Sequence, residues 1–377
     1  MLEKFLSNLY EGILVLPDKI EDVNDLIEKI EKYGISPQVY NLLKEKGKLE
    51  VTPQLFQTRL KHKYKESLFL NLYIKNQTIQ LLKAFENKEI EVIPLKGVYF
   101  TEEFFGDLGA RATSDIDILV KEEDLEKAIE CVKEIGFLQE EIEIPYHFHK
   151  SFSKEIPGSA IPMTVEIHWD ILKRNTAKLA INKFWISSVP LHNYKYVKKL
   201  DHFYNFYMIC IHGWRHNLES PRYLLDIVQM IYKLKEEINY KKLLREAKIN
   251  KTYNRILRTL SIVYLKFPYL SNLVDLPKKK TRRYHYSSRI SSKHFICRYI
   301  NFIDNEFLSF DSYIYTLREV IHWFSPTKTD ISIQLGYDIT NKPYYFCFTK
   351  IYTKRMKSLS NVFFRIFNII NEVYNVK

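Results

Sequence analysis

Apolar residues return at helical intervals through the first 88 positions, and the period changes abruptly after them. The clearest helical stretch is Tyr64 to Phe85, where Leu68, Leu72, Ile79, Leu81 and Leu82 predict one core-facing stripe. Pro17 and Pro53 mark helix boundaries, and Gly34-Ile-Ser-Pro37 interrupts the pattern before another short helix. Glu91-Val-Ile-Pro-Leu95 then reads as a short strand, with Lys96-Gly97 turning into a helix that reaches about Phe105. Ser114-Asp-Ile-Asp-Ile-Leu-Val120 alternates and is β-branched, so it predicts a second strand. Glu122 to Ile135 is an amphipathic helix turning Leu125, Ala128, Ile129 and Val132 inward, and Gly136 closes it.

Glu140 to Lys154 is extended but irregular, and it carries His147 and His149. Pro162 to Asp170 alternates again, with Glu166, His168 and Asp170 on one face and Val165, Ile167 and Trp169 on the other. Beyond about residue 190 the pattern is helical: Asp201 to His212, Leu225 to Leu234, Tyr240 to Ala247, Tyr253 to Tyr264, Asn301 to Trp323 and Arg355 to Val376. Strand, helix, strand, helix in the middle of the chain is an α/β arrangement set between helical regions. The expected division is a helical cap at 1–88 forming one wall of a pocket, a catalytic core at 89–190 and a helical region at 191–377.

The chemistry concentrates on the second strand. Asp115 and Asp117 are two residues apart, so their carboxylates share a face, where their repulsion calls for a cation or a hydrogen-bond network. A divalent ion answers that need, and Glu166 is the leading third ligand. Solvated aspartates with Asp115 in a turn beside Ser114 are the bland alternative. Lys96 offers a mobile charge, and Gly97 lets a phosphate approach closely. Arg111 could bind phosphate, fix one of the aspartates, or form a surface salt bridge; Ser114 and His168 are assigned as nucleotide contacts. Asp170 either joins this face, ends the strand or caps the succeeding helix. His212 and His216 stand at i,i+4 only if Gly213 leaves the helix intact; with Arg222 and Asp226 they form an interhelical polar network or line the nucleotide pocket. The His147, His149 pair has no adjacent ligand cluster and is not a specific zinc signature.

Composition adds limits. A formal charge of +12 favours polyanions, nucleotides or an anionic surface without choosing among them. The basic stretch from Lys278 to Arg298 has no recognisable nucleic-acid module around it, and a solvated loop is its simplest role. Cys131, Cys210, Cys297 and Cys347 are dispersed, which argues for a reducing, cytoplasmic setting and against a zinc knuckle. The N-terminus lacks a basic segment followed by a long apolar run, and no apolar run is long enough to span a bilayer. The terminal helix is expected to pack on the core, with a partner or membrane surface as alternatives.

Pro94-Leu-Lys-Gly97, Arg111 to Val120 and Val165 to Asp170 together resemble the polymerase-beta-like nucleotidyltransferase superfamily, and more closely the bacterial uncharacterised nucleotidyltransferases. The resemblance spans roughly residues 60 to 330 and reaches the HGWRH and RYLLD segments around His212 and Asp226. It implies an α+β fold, with a small mixed, twisted sheet flanked by helices. Asp115 and Asp117 match its metal-binding pair and Glu166 its third acid, while Lys96-Gly97 replaces the superfamily's usual Gly-Ser. The implied activity is transfer of a nucleoside monophosphate, AMP from ATP, with Mg²⁺ or alternatively Mn²⁺, and with pyrophosphate release. A small-molecule, carbohydrate or peptide-like acceptor is favoured. RNA-associated transfer and a noncatalytic, antitoxin-like nucleotide-binding role are the alternatives.

Overall fold

The computed structural model describes residues 1–140, 148–156, 162–277 and 295–357. His147, the basic stretch 278–294 and the terminal helix beyond 357 therefore lie outside the described residues. The chain opens with α1 (Leu2–Tyr10), α2 (Ile20–Lys32), α3 (Ser36–Glu45) and the long α4 (Gln54–Asn87). The buried line of α4 passes through Leu60, Ser67, Asn71, Ile74, Thr78, Leu81, Leu82 and Phe85. It differs from the expected stripe, since Leu72 is 48% exposed. The reason is Asn71, a buried amide with every need met. It donates to the Leu108 and Arg111 carbonyls at 2.6 and 2.7 Å and accepts from the Thr113 amide at 3.1 Å. A count of apolar positions misses such a residue, although it anchors the loop that leads into the acidic strand.

That loop is packed hard against α4. A Cβ on Gly109 would lie 2.6 Å from Tyr64 Cε2 and 3.0 Å from Leu68 Cβ. The Tyr64 ring cannot swing aside freely, because its hydroxyl donates to both oxygens of Asp107 at 2.8 and 2.9 Å. Gly109→Ala is therefore expected to destabilise the fold by about 1–3 kcal/mol through overpacking. A urea midpoint equal to that of the wild type would contradict this.

The sheet comes next: β1 (Val92–Pro94), a helical turn α5 (Val98–Phe100) continued as π-helix to Phe105, β2 (Asp115–Val120), α6 (Leu125–Glu134), β3 (Leu138–Gln139), β4 (His149–Lys154) and β5 (Met163–His168). Its five strands run in the order β1-β2-β5-β4-β3, with β2 and β5 parallel and the other neighbours antiparallel. A small mixed sheet among many helices makes this an α+β fold. Ile116, Ile118, Val120, Phe152, Val165 and Ile167 turn one face into a core shared with Leu81, Leu82 and Phe85 of α4 and Ala128, Ile129 and Val132 of α6. Each large apolar side chain buried there stabilises the fold by roughly 1.5–3 kcal/mol. Alternation leaves Asp115, Asp117, Glu166 and His168 on the other face.

Helices complete the first unit: α7 (Ile181–Ser187), a short ladder of β6 (Val189–Pro190) and β7 (Lys198–Lys199), then α8 (His202–Arg215), α9 (Pro221–Lys233), α10 (Tyr240–Ile249), α11 (Tyr253–Lys266) and α12 (Leu270–Leu273). Asp201 and Ser220 cap α8 and α9 by accepting the Tyr204 and Arg222 amides. Gly213 does not break α8. A Cβ there would meet Leu218 Cδ2 at 2.9 Å and Ile227 Cδ1 at 3.1 Å, so glycine serves the close approach of α9. The described residues of this unit are 1–140, 148–156 and 162–277.

The second unit contains α13 (Phe295–Glu306), α14 (Tyr313–Phe324), α15 (Lys328–Leu335) and helical residues 344–357. The single helix expected over Asn301 to Trp323 is thus two. A capping box of Thr327 and Asp330 starts α15, and Ile331, Ile339, Cys347 and Ile351 form a small core. Among the described residues no helix is long and apolar enough to cross a membrane.

Candidate active site

Strand register assembles the acidic cluster. Asp117 of β2 pairs with Glu166 of β5, and Asp115 lies two residues earlier on the same face. One carboxylate oxygen from each of Asp115, Asp117 and Glu166 lies within 4.8 Å of the others, close enough to ligate one ion. An all-oxygen set of this kind suits Mg²⁺ or Mn²⁺. His168, two residues beyond Glu166 on the same face, brings Nε2 to 3.1 Å from Asp117 Oδ1 and 3.2 Å from Glu166 Oε2. His149 enters from β4, where it pairs with His168 across the ladder.

Lys96 supplies the compensating charge. Its Nζ sits 2.7 Å from Asp117 Oδ2 and 3.1 Å from Asp115 Oδ2. The turn that delivers it needs Gly97, whose φ of +88° is closed to most side chains. Burial pushes the Asp117 carboxyl up, but the Lys96 ammonium and then His168 outweigh it and hold the group below its ordinary value. Glu166 behaves alike: burial raises it, and the hydrogen bond and charge of His168 bring it down to about 2. Burial lowers Lys96, yet Asp117 and Asp115 hold it above the ordinary lysine value. Burial likewise opposes a charged His168, and its bonds to Asp117 and Glu166 prevail. Ser114 stands at the rim, donating to Asp115 Oδ1 at 3.3 Å.

This face is the floor of a cavity of about 170 Å³. Its wall is α8, through Met208, Ile211, His212, Arg215 and His216. The N-terminal helices expected to form that wall are not among the lining residues, because α4 packs on the opposite, apolar face of the sheet. His212 and His216 do sit one turn apart, with ring centroids 4.7 Å from each other, and Tyr223 stacks on His216 at 4.5 Å. Burial, then Lys96, places His212 well below the ordinary histidine value; burial, then Arg215 and Lys96, brings His216 down to about 4. Both rings are neutral at pH 7. A second cavity of about 290 Å³ shares Leu95 and Lys96 with the first and runs along Tyr99, Phe100 and His192.

Arg111 and Arg222 both turn away from the acidic cluster and tie α9 to the loop before β2. Arg111 reaches neither strand aspartate; it is buried and forks onto Asp226 of α9, with Nε to Oδ1 at 2.7 Å and Nη2 to Oδ2 at 2.8 Å. It is not a surface pair either, since both side chains are almost fully enclosed. Arg222 donates to the Ala112 carbonyl at 2.7 Å, which ties α9 to the same loop. Asp170 leaves the acidic face and accepts the Ile171 and Leu172 amides, ending β5. Arg215, by contrast, stands inside the HGWRH segment without a role of its own in the sequence reading, and it lines the cavity. Its guanidinium lies 4.6 Å over the Phe148 ring, and among the described residues it has no ion pair. One signal could have found it, because i,i+3 spacing puts Arg215 on the same side of α8 as His212.

A family model described as "Uncharacterised nucleotidyltransferase" matches residues 20–263, a span that contains every residue of this cavity. No curated protein and no solved structure matches the chain.

Proposed function

The chain belongs to the uncharacterised nucleotidyltransferase family, and from that premise we propose that its acidic face transfers a nucleoside monophosphate, AMP from ATP, to a hydroxyl or phosphate of a small-molecule, carbohydrate or peptide-like acceptor. The observation that carries this reading is the register of Asp117 against Glu166, with Asp115 beside them and three oxygens converging within 4.8 Å. The sheet and this cluster are read as a polymerase-beta-like core in a reducing, cytoplasmic protein. Asp115, Asp117 and Glu166 would hold Mg²⁺ or Mn²⁺. When bound, such an ion neutralises the triphosphate and stabilises departing pyrophosphate.

The remaining work falls to the chain itself. An acceptor oxygen bonds to the α-phosphorus as the α–β bridging bond breaks, the electron pair leaves with pyrophosphate, and the proton of an acceptor hydroxyl passes to solvent. At about 170 Å³ the acidic cavity is smaller than the ~300–1,000 Å³ of ordinary ligand pockets, so it suits phosphates and ions rather than a whole nucleotide. The neighbouring cavity of about 290 Å³ is the proposed place of the acceptor, with Lys96 between the two. The long stem of Lys96 lets its ammonium follow a phosphate oxygen away from the aspartates. A carboxyl held down at about 2, as Glu166 is, serves as a ligand more readily than as a proton acceptor.

Arg215, charged and facing the cavity, is the proposed anchor for the outer phosphates. Arg215→Ala is expected to raise KM for the nucleotide by about 10- to 100-fold, the worth of a hydrogen bond to a charged group. An unchanged KM removes Arg215 from the phosphate site. The reading as a whole is tested by a structure with a nonhydrolysable ATP analogue and Mg²⁺. The ion is expected on Asp115, Asp117 and Glu166 with the phosphates toward Arg215; phosphates bound elsewhere would overturn it.

A further inference from the structure

The polar face of the sheet carries a second set of donors beside the carboxylates. His149 and His168 are partners in the antiparallel ladder of β4 and β5, so their rings rise together from one face, with centroids 4.8 Å apart. Glu166 stands between them. Its Oε2 is 3.2 Å from His168 Nε2 and 3.8 Å from His149 Nε2. One ligand atom from each residue lies within 4.8 Å of the other two. Both imidazoles are largely enclosed, at 11% and 5% side-chain exposure. Phe148 packs on both rings, with centroids at 5.2 and 6.0 Å, and limits their rotation. All three residues line the cavity that holds the acidic cluster.

We propose that His149, Glu166 and His168 form a second cation position, which takes a divalent transition ion through two imidazole nitrogens and one carboxylate oxygen, the ion displacing to solvent the proton that His168 holds toward Asp117 and Glu166. It lies beside the all-oxygen position on Asp115 and Asp117, and Glu166 is common to the two. The donor atoms decide the class of ion. Imidazole nitrogen suits zinc, cobalt, nickel and iron, whereas carboxylate and water suit magnesium. Three protein ligands facing a cavity leave coordination positions for substrate, which is the pattern of a working ion and not of a structural one. The inference deepens the nucleotidyl-transfer reading and rests on it for its purpose, but the binding event can be measured by itself.

Cobalt(II) titrated into the full chain reads this site, because nitrogen ligation gives the ion a distinctive visible absorption. The wild type is expected to bind coloured cobalt that excess Mg²⁺ does not displace. His149→Gln should weaken that binding by about 100-fold, the upper end of what even supporting groups around a metal contribute. Asp115→Asn should retain it. His149→Asn, checked by far-ultraviolet circular dichroism, replaces the first variant if glutamine unfolds the sheet edge. Cobalt binding of wild-type strength and spectrum in a folded His149 variant, or complete displacement by Mg²⁺, overturns the second position. Pyrophosphate release is assayed separately. Cobalt bound as expected with no release from any nucleotide and acceptor would keep the site and remove the transfer reading; release alongside an indifferent His149 variant would do the reverse.

Discussion

Asp117→Asn is expected to reduce pyrophosphate release by about 10³-fold while the protein stays folded. Asp117 is the most enclosed of the three acids at 1% exposure, and it faces Lys96 at 2.7 Å and His168 at 3.1 Å. The amide keeps the shape of the side chain but removes the charge on which both cations and any bound ion depend. Lys96 retains Asp115 at 3.1 Å and His168 retains Glu166 at 3.2 Å, so neither cation is stranded. The stability change should therefore remain within about 1–3 kcal/mol, the range for one lost buried hydrogen-bond partner. Pyrophosphate release and a urea melt on the same preparation separate the two effects. Equal transfer by variant and wild type would contradict the mechanism, and an unfolded variant would place Asp117 in the scaffold.

Alternation in SDIDILV and VEIHWD is enough to read β2 and β5 and to name the face on which Asp115, Asp117, Glu166 and His168 stand. Period two assigns a face to each strand but says nothing about which strand lies next to which. The pairing of Asp117 with Glu166 needs β5 to return parallel to β2, and the pairing of His149 with His168 needs β4 on the far side of β5. For that reason the sequence offers His149 only its near neighbour His147, whereas the ring it meets belongs to the next strand. The stripe on α4 is illegible for a different reason. Asn71 is polar and completely buried, and only the loop around Arg111 explains it. Helical spacing at HGWRH reaches further than its two histidines, since Arg215 is placed by the same turn that places His212. Arg111 and Asp226 are 115 residues apart, and no local pattern joins them.

Asp226→Ala is expected to destabilise the fold by about 3–5 kcal/mol, far beyond the ~0–1 kcal/mol of a surface pair. The alanine leaves the Arg111 guanidinium buried, 5.3 Å from the Phe100 ring centroid and near the like charge of Arg222, with both of its carboxylate bonds gone. Burial works to lower Arg111, and Asp226 is the largest influence holding it raised, so loss of Asp226 leaves a charge that only the weaker influence of Asp115 and Asp117 offsets. The pair also joins α9 to the loop that Asn71 grips and that runs into β2, so the acidic strand should loosen with it. Urea unfolding of the single variant against Arg111→Met/Asp226→Leu tells the two roles apart. The double variant removes both charges and should recover most of the lost stability, because a buried pair contributes little beyond a well-packed apolar one. If the single change costs less than about 1 kcal/mol, the pair is as weak as a surface one. A loss of the expected size shows that Arg111 and Asp226 together hold α9 to the loop that leads into β2.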